Sequence, residues 1–456
     1  MSKSIPMKQK SVAAVTLGCK VNYAETSSIV DMLVSEGWAF HDIDDGADII
    51  FIHTCAVTGE AERKSRQQIR KAIKKHPNAK VLVAGCYAQL APEQIAQIDG
   101  VSLVLGMSEK FDRLHYPEEP DQQVCDVRVR VAPVEALAVA HVASSLISQP
   151  DKGRTRAFLK IQDGCSFGCA YCAIPLARGR SRSVPLATVI ERAVAIAEAG
   201  YREIVLTGIN IADYHDGQHG FTDLLRHLEE LDVSRIRISS IEPQFLDDEL
   251  IALVAGSTKI MPHFHLPLQS GSNKVLKAMG RQYDTAFYRE RLLRAVSSIR
   301  GCVIGADVMV GYPGESEDDF EAMYRFIEAL PVAYLHIFSC SVRSGTRLFR
   351  EIAEKKVSRV VSAEASRRAK RLAQLGQQLE RRFASSFIGR QLRVLFEEGI
   401  PDGEGRILWS GYSENYLRVQ VKIDDSAHGV SMRGVEHEVF IDGVGEGLLL
   451  QGRLVF

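Results

Sequence analysis

Between about Pro150 and Arg347 the chain repeats a strand-like run followed by a helical pattern about six times, and few folds accommodate such a repeat. The runs are Phe158–Ile161, Ile204–Leu206, Arg235–Ile238, His263–Leu266, Val303–Val310 and Tyr334–Phe338, with helical segments such as Leu186–Ala199 and Glu317–Ala329 between them. Strands that alternate with helices pair in parallel, so the repeat predicts a complete or partial parallel barrel. On such a barrel chemistry sits at the strand ends. Distinctive loops stand there: Thr207-Gly208-Ile209-Asn210, Ser239-Ser240-Ile241-Glu242-Pro243, Leu268-Gln269-Ser270-Gly271-Ser272 and Gly311-Tyr312-Pro313-Gly314-Glu315. One such loop is an ordinary turn; four in register form a pattern.

The first of these strands runs into Asp163-Gly164-Cys165-Ser166-Phe167-Gly168-Cys169-Ala170-Tyr171-Cys172, three cysteines spaced C-x3-C-x2-C. A structural zinc site closes its shell with four protein ligands. A [4Fe–4S] cluster takes one thiolate per iron, so three cysteines leave one iron open to a small molecule. That reading is favoured over a chance grouping or a zinc site completed from a distance.

Residues 11 to about 125 alternate in the same way. Strand-like runs at Val12–Leu17, Ile49–His53, Val81–Ala84 and Val101–Leu105 enclose helical patterns at Glu25–Glu36, Glu60–Lys75 and Pro92–Gln97, which predicts a mostly parallel sheet. Cys19, Cys55 and Cys86 each follow a strand-like run. In a parallel sheet those ends share one edge, where open α/β sheets bind ligands. The three therefore form a candidate second cluster site, with three separate small buried residues as the alternative. Cys125, Cys302 and Cys340 read as structural.

Composition sets bounds on the rest. The chain has 456 residues, 46% hydrophobic and 25% charged, with a net charge of −1. These values suit a soluble globular protein of about three domains and exclude a globally basic nucleic-acid binder. Nine cysteines are too few for a disulfide scaffold, which points to a reducing, cytoplasmic setting. The N-terminus lacks a signal-like apolar segment, and the apolar linker Val131–Ser148 is too short and polar to span a bilayer. Local basic groups are candidate RNA contacts: Arg63, Arg66 and Arg70 on one helical face, and Arg178, Arg180 and Arg182 after the cysteine loop. Helix-dipole matching and solvated loop charge are the respective alternatives. Val357–Phe387 reads as a long polar helix that serves as a connector. After Gly389 the period becomes two, over Gln391–Glu397, Gly405–Ser410, Tyr416–Ile423, Glu436–Ile441 and Leu448–Val455, which predicts a small closed β-barrel.

The cysteine loop, with an aromatic residue before its last cysteine, resembles the signature of the radical S-adenosylmethionine (SAM) superfamily. The whole chain resembles the radical SAM methylthiotransferases, through Gly18-Cys19-Lys20-Val21-Asn22, Thr54-Cys55-Ala56-Val57-Thr58 and Gly85-Cys86. That resemblance implies a Rossmann-like α/β domain over residues 1–130, a radical SAM partial barrel with its helical connector over 150–385, and a TRAM-like β-barrel over 386–456. Lys20-Val21-Asn22, Ala56-Val57-Thr58, Lys64-Ser65-Arg66-Gln67 and Lys160-Ile161-Gln162-Asp163-Gly164-Cys165 look most like the branch acting on N6-threonylcarbamoyladenosine in tRNA. The implied product is 2-methylthio-N6-threonylcarbamoyladenosine.

The resemblance further implies two [4Fe–4S] clusters, one on Cys165, Cys169 and Cys172 and an auxiliary one on Cys19, Cys55 and Cys86. SAM would serve as methyl donor and radical source. Tyr171 would lie along its adenine, Gly208 and Asn210 would flank its methionine end, and Ser240, Glu242 and Gln269 would help hold the ribose or substrate. The implied partners are a tRNA anticodon stem-loop and a flavodoxin- or ferredoxin-like one-electron reductant, with no membrane. Trp409, Tyr412 and Tyr416 are candidate stacking residues for RNA, with core packing as the role of at least two. Ser166, Tyr23-Ala24 and Ser339-Cys340 depart from the family pattern without removing a cluster ligand. Methylthiolation of N6-isopentenyladenosine or of a ribosomal-protein aspartate is the neighbouring reading. A non-catalytic, metal-containing RNA-binding protein is the reading from another class.

Overall fold

A computed structural model describes residues 9–116, 128–137, 140, 155–424 and 431–455. Cys125 and part of the linker Val131–Ser148 lie outside the described residues. The N-terminal sheet has six strands: β1 (Ser11–Thr16), β2 (Ala39–Phe40), β3 (Ile49–Thr54), β4 (Lys80–Gly85), β5 (Val101–Leu105) and β6 (Arg128–Arg130). All pair in parallel, in the order β2-β1-β3-β4-β5-β6. β3 is buried along its whole length, as a strand covered on both faces must be. Ile50, Ile52, Val81 and Val83 pack on one face, and Val12, Phe51, Leu82 and Ala84 on the other.

The order reverses between β1 and β3, which makes their C-terminal ends a topological switch point. Cys19 follows β1 and Cys55 follows β3, so two of the expected ligands flank that crevice. Cys86 opens a short helix directly after β4. The first long helix runs Lys20–Ser35, five residues earlier than its apolar pattern predicts, with Cys19 as its N-cap. Its first turns carry buried Asn22 and Glu25. A polar buried face produces no hydrophobic periodicity to read.

The central region forms two three-stranded parallel sheets. One holds Arg156–Lys160, Glu203–Thr207 and Arg235–Arg237; the other holds His263–His265, Val303–Val310 and Tyr334–Ser339. Single bridges, Ile236 to Ile260 and Ser240 to His265, join them into a partial barrel. Alternation along each strand divides the residues between two faces. Leu159, Leu206, Ile236, Phe264 and Ile304 pack outward against the helices. Arg156, Glu203, Arg237, His263, Asp307 and Tyr334 take the alternate positions and line the inside.

The connector helix spans Ser362–Ser385 rather than Val357–Phe387. Val357-Ser358-Arg359-Val360-Val361 is rich in β-branched residues, which lose rotamer freedom in a helix. Nor is it merely a connector, since Leu372, Leu375 and Leu379 belong to the barrel core. Five strands then close a barrel: Gln391–Pro401, Arg406–Ser413, Arg418–Asp424, Leu450–Leu454 and Glu436–Val444, in that spatial order. Trp409 is buried in its core.

Candidate active site

Residues Gly164–Ala173 carry Cys165, Cys169 and Cys172 at the end of the first barrel strand. Each thiol has its own N–H donor. Phe167 N donates to Cys165 Sγ at 3.4 Å, Ile174 N to Cys172 Sγ at 3.4 Å, and the Arg281 guanidinium to Cys169 Sγ at 3.3 Å. Arg281 is itself held by Glu242. Burial pushes the free Cys165 thiol up to about 11 and Cys172 up to about 12.

Cys19, Cys55 and Cys86 converge on the N-terminal sheet edge. Gly18 has φ +99°, and a Cβ there would lie 2.8 Å from Cys55 Cβ and 2.9 Å from its Sγ. Only glycine lets these two loops approach so closely. Burial pushes Cys55 up to about 12, with Cys86 and Cys19 among the groups acting on it. Arg178 Nε donates to Cys86 Sγ at 3.4 Å.

None of the six cysteines is in a disulfide, which leaves each thiol able to ligate a metal group. A tetrahedral zinc site, with Zn–S near 2.3 Å, brings its sulfurs within about 3.8 Å of one another. Among the described residues the only group of three or more potential ligands with donors inside 4.8 Å is His265, Asp307 and His336. Neither cysteine triad forms so close a group among the described residues, and thiols with N–H donors suit a polynuclear cluster.

Arg178 was a candidate RNA contact. It is instead fully buried between the two triads. Its guanidinium reaches Asp163 Oδ1 at 2.8 Å, Asn22 Oδ1 at 2.7 Å and Glu25 at 3.0 and 3.1 Å. Lys160 Nζ joins Glu25 at 2.5 Å and Asp163 at 2.7 Å. Guanidinium and carboxylate charges cancel here away from water, which is why an arginine two positions from exposed Arg180 lies inside. Arg182 is half-buried, donating to the Arg180 carbonyl at 2.7 Å. Arg63 pairs with Glu60 at 2.6 Å on the surface, Arg66 donates to Tyr87 Oη at 2.9 Å, and Arg70 is exposed.

Gln162 ties the cysteine loop to the next strand end. Its Oε1 accepts from Ile209 N at 3.0 Å and Asn210 N at 2.8 Å, while Nε2 donates to the Gly164 carbonyl at 2.8 Å. Asn210 is buried, and neither its Nδ2 nor its Oδ1 finds a partner among the described residues. A buried amide without partners is complete only when a ligand supplies them. Tyr171 is half-buried beside the triad, and Gly208 stands against Gln162, where a Cβ would come within 3.0 Å of its carbonyl. Gln269 holds a left-handed backbone, φ +63°, while pairing with the central strand through Asp307 and Met309. For a non-glycine residue that conformation carries strain, a feature that clusters at functional sites.

A family model for the uncharacterized protein family UPF0004 matches residues 11–106, and one for the radical SAM superfamily matches residues 159–327. The chain is 39% identical over 416 residues to a Bacillus subtilis protein named threonylcarbamoyladenosine tRNA methylthiotransferase, covering 90% of each. It belongs to the radical SAM methylthiotransferase family. An Aquifex aeolicus protein of the same name is 35% identical over 411 residues, covering 90% of this chain and 96% of that one. The solved structure of the radical SAM methyltransferase TsrM from Kitasatospora setae shares the fold, with a TM-score of 0.56 at 16% identity, over 76% of this chain and 78% of that one. Radical SAM methylthiotransferases use SAM and [4Fe–4S] clusters as cofactors.

Below the cysteine loops of this family member lies a polar lumen that the strand-end loops do not reveal. His265 Nε2 meets Asp307 Oδ1 at 2.7 Å, and His336 Nδ1 meets it at 3.3 Å. These contacts outweigh burial and hold Asp307 below the usual carboxylate range. Tyr334 Oη sits 2.9 Å from His263 Nε2. Burial, with Arg237 and Lys20 nearby, keeps the pKa of His263 well below its ordinary value. Tyr412 and Tyr416 of the C-terminal barrel stack at 4.8 Å and close the lumen from below, under Arg156 and Arg237. Their packing faces the radical SAM barrel. The signal for these residues was in the strands themselves: Arg235-x-Arg237, His263-x-His265 and Tyr334-x-His336 place polar groups at every second position, where a buried parallel sheet is normally apolar.

Proposed function

We propose that Cys165, Cys169 and Cys172 hold one [4Fe–4S] cluster and Cys19, Cys55 and Cys86 a second. On this reading the enzyme places a methylthio group at C2 of N6-threonylcarbamoyladenosine beside the tRNA anticodon. The product is 2-methylthio-N6-threonylcarbamoyladenosine. When bound, the clusters and SAM supply one-electron chemistry able to remove the non-acidic C2 hydrogen and the methylthio group that replaces it. The chain's own residues orient and enclose. Arg281, braced by Glu242, fixes Cys169. Asn210 offers the methionine end of SAM an amide with both polar atoms free among the described residues. The lumen above Tyr416 receives the adenosine and excludes water from it.

The observation that carries this reading is Arg178, which contacts Cys86 and Asp163 at once and so ties a thiol of one triad to the carboxylate two residues before the first cysteine of the other in one buried fork. Two separated metal sites in a binding protein have no need of such a joint. Exposed Arg63, Arg70 and Arg180 are proposed contacts for the anticodon stem-loop, and a flavodoxin- or ferredoxin-like protein is the proposed reductant. No helix among the described residues is long and apolar enough to cross a membrane, and we place the enzyme in the cytoplasm. The test is anaerobic reconstitution with SAM, reductant and tRNA bearing threonylcarbamoyladenosine, followed by mass spectrometry of the digested nucleosides. A methylthio-shifted nucleoside that disappears with Cys55→Ala is the expected result. SAM cleavage without that product would overturn the substrate assignment.

A further inference from the structure

Lys20 is the first residue of the helix Lys20–Ser35, directly after Cys19. A cation there opposes the positive end of the helix dipole, and the first turn holds no acidic residue to offset it. Helix stability does not explain the residue. Its side chain keeps solvent access and acts within electrostatic range of Arg237, Arg156, Glu203 and Tyr416. Those groups come from three barrel strands and the C-terminal barrel, and the helix that begins at Lys20 packs on the strands Arg156–Lys160 and Glu203–Thr207, with the Tyr23 ring 6.5 Å from Phe158, which sets Lys20 at the edge of the lumen they line.

Around Tyr412 and Tyr416 the lumen floor holds Arg156, Arg237 and Lys20 against Glu203 and Glu397, while Asp307 is engaged elsewhere in the lumen by His265 and His336. Arg237 is taken by Glu203, Nε to Oε1 at 2.7 Å, and its guanidinium lies 4.7 Å over the Tyr416 ring. Arg156 is taken by Glu397 at 2.7 Å and lies 4.7 Å over Tyr412. Two carboxylates thus serve two guanidinium groups, and Lys20 makes no hydrogen bond or ion pair among the described residues. Lys20, exposed at the edge of this floor and without a carboxylate of its own among the described residues, is therefore the cation left to receive an incoming anion. A second observation points to the same place. His263, 3% exposed and tilted against Tyr416 at 4.9 Å, has no partner for Nδ1 among the described residues.

We propose that Lys20, flanked by Arg156 and Arg237, binds the carboxylate of the threonylcarbamoyl side chain, with His263 Nδ1 meeting a neutral polar group of the same substituent. This rests on the substrate assigned above and deepens it. The threonyl moiety carries one carboxylate and one hydroxyl, which matches one unpaired cation beside one unpaired neutral nitrogen. An apolar N6 substituent would leave both unsatisfied, so the pocket is a specificity device for the acidic nucleoside. An RNA phosphate is the other anion able to reach an ammonium, and the experiment separates the two.

Reconstituted wild-type and Lys20→Met proteins would be compared on three anticodon stem-loops: with threonylcarbamoyladenosine, with its carboxyl methyl ester, and with isopentenyladenosine. Iron content and SAM cleavage are measured alongside. Fluorescence anisotropy of each stem-loop gives affinity independently of turnover. Losing one charged hydrogen bond predicts that wild type prefers acid to ester by about 10- to 100-fold in kcat/KM, that Lys20→Met loses this preference, and that Lys20→Arg restores part of it. The wild-type comparison of acid with ester needs no variant, so a misfolded mutant does not protect the idea. Equal handling of acid and ester by wild type overturns the pocket and leaves the reaction standing. Equal weakening of all three RNAs by Lys20→Met assigns the cation to phosphate and also overturns it. Conversion of the isopentenyl RNA alone overturns the substrate assignment, and the pocket with it.

Discussion

Arg178 Nε donates to Cys86 Sγ at 3.4 Å while the same guanidinium holds Asp163, two residues before Cys165, at 2.8 Å. One buried side chain thereby sets the position of a thiol in the first domain against the cysteine loop of the second. Planarity is what makes this possible, because a guanidinium presents five donors in fixed directions and an ammonium does not. Arg178→Lys should therefore fail despite keeping the charge. Losing the fork leaves Glu25 and Asp163 incompletely paired, at a cost on the order of 3 kcal/mol. Loss of the N–H donor to sulfur should also shift the auxiliary cluster's potential to more negative values. Denaturant midpoints and an electron paramagnetic resonance titration measure the two effects separately. An unchanged potential would refute the link to Cys86.

Glu25 offers a test by pH. Burial alone raises a carboxyl pKa, but Arg178 first, then Lys110 and Lys160, outweigh it and hold Glu25 well below its ordinary 4.5. A depressed folded pKa contributes stability that is complete above the unfolded value and is lost as pH falls toward the folded one. The wild-type protein should lose stability below about pH 4.5 more steeply than Glu25→Gln does. At neutral pH the variant should be weaker by about 3–5 kcal/mol, since it leaves buried cations unpaired. Urea midpoints across pH 3.5 to 7 read both slopes, and parallel curves would contradict the account.

Gly18→Ala should separate the two metal sites. The added methyl collides with Cys55 and forces a side chain into φ +99°. Bound iron per chain should fall by about half, with SAM cleavage kept and methylthiolation lost. Iron analysis and nucleoside mass spectrometry check this. Full iron retention would mean that the Cys19 and Cys55 loops need not meet.

Asn210→Ala should move stability and affinity in opposite directions. The buried amide lacks partners among the described residues, and an unsatisfied buried polar group costs about 1–3 kcal/mol. Removing it should raise the melting temperature of the SAM-free protein by a few degrees and weaken SAM binding by about tenfold or more. Differential scanning fluorimetry and equilibrium dialysis give the two numbers. A lower melting temperature with unchanged SAM affinity would make Asn210 structural.

Features encoded within a few neighbouring residues were legible from the chain alone. Val303–Val310 and Val101–Leu105 appear with the bounds their apolar runs predict. The cysteine spacing, the glycines after strands and the change to period two near Gly389 are equally local, and each belongs to the part of the fold it indicated. Which charged groups lie inside follows instead from packing between distant parts of the chain. Arg178 and Arg180 look alike in the chain, yet one is buried against Glu25, 153 positions away, and the other is exposed. Arg237 lies over Tyr416, with Lys20 within electrostatic range of both, only because a helix of the first domain, strands of the second and a turn of the third pack together. A charge can be buried only beside its opposite, and where that opposite comes from is settled by packing across the chain rather than by any local pattern.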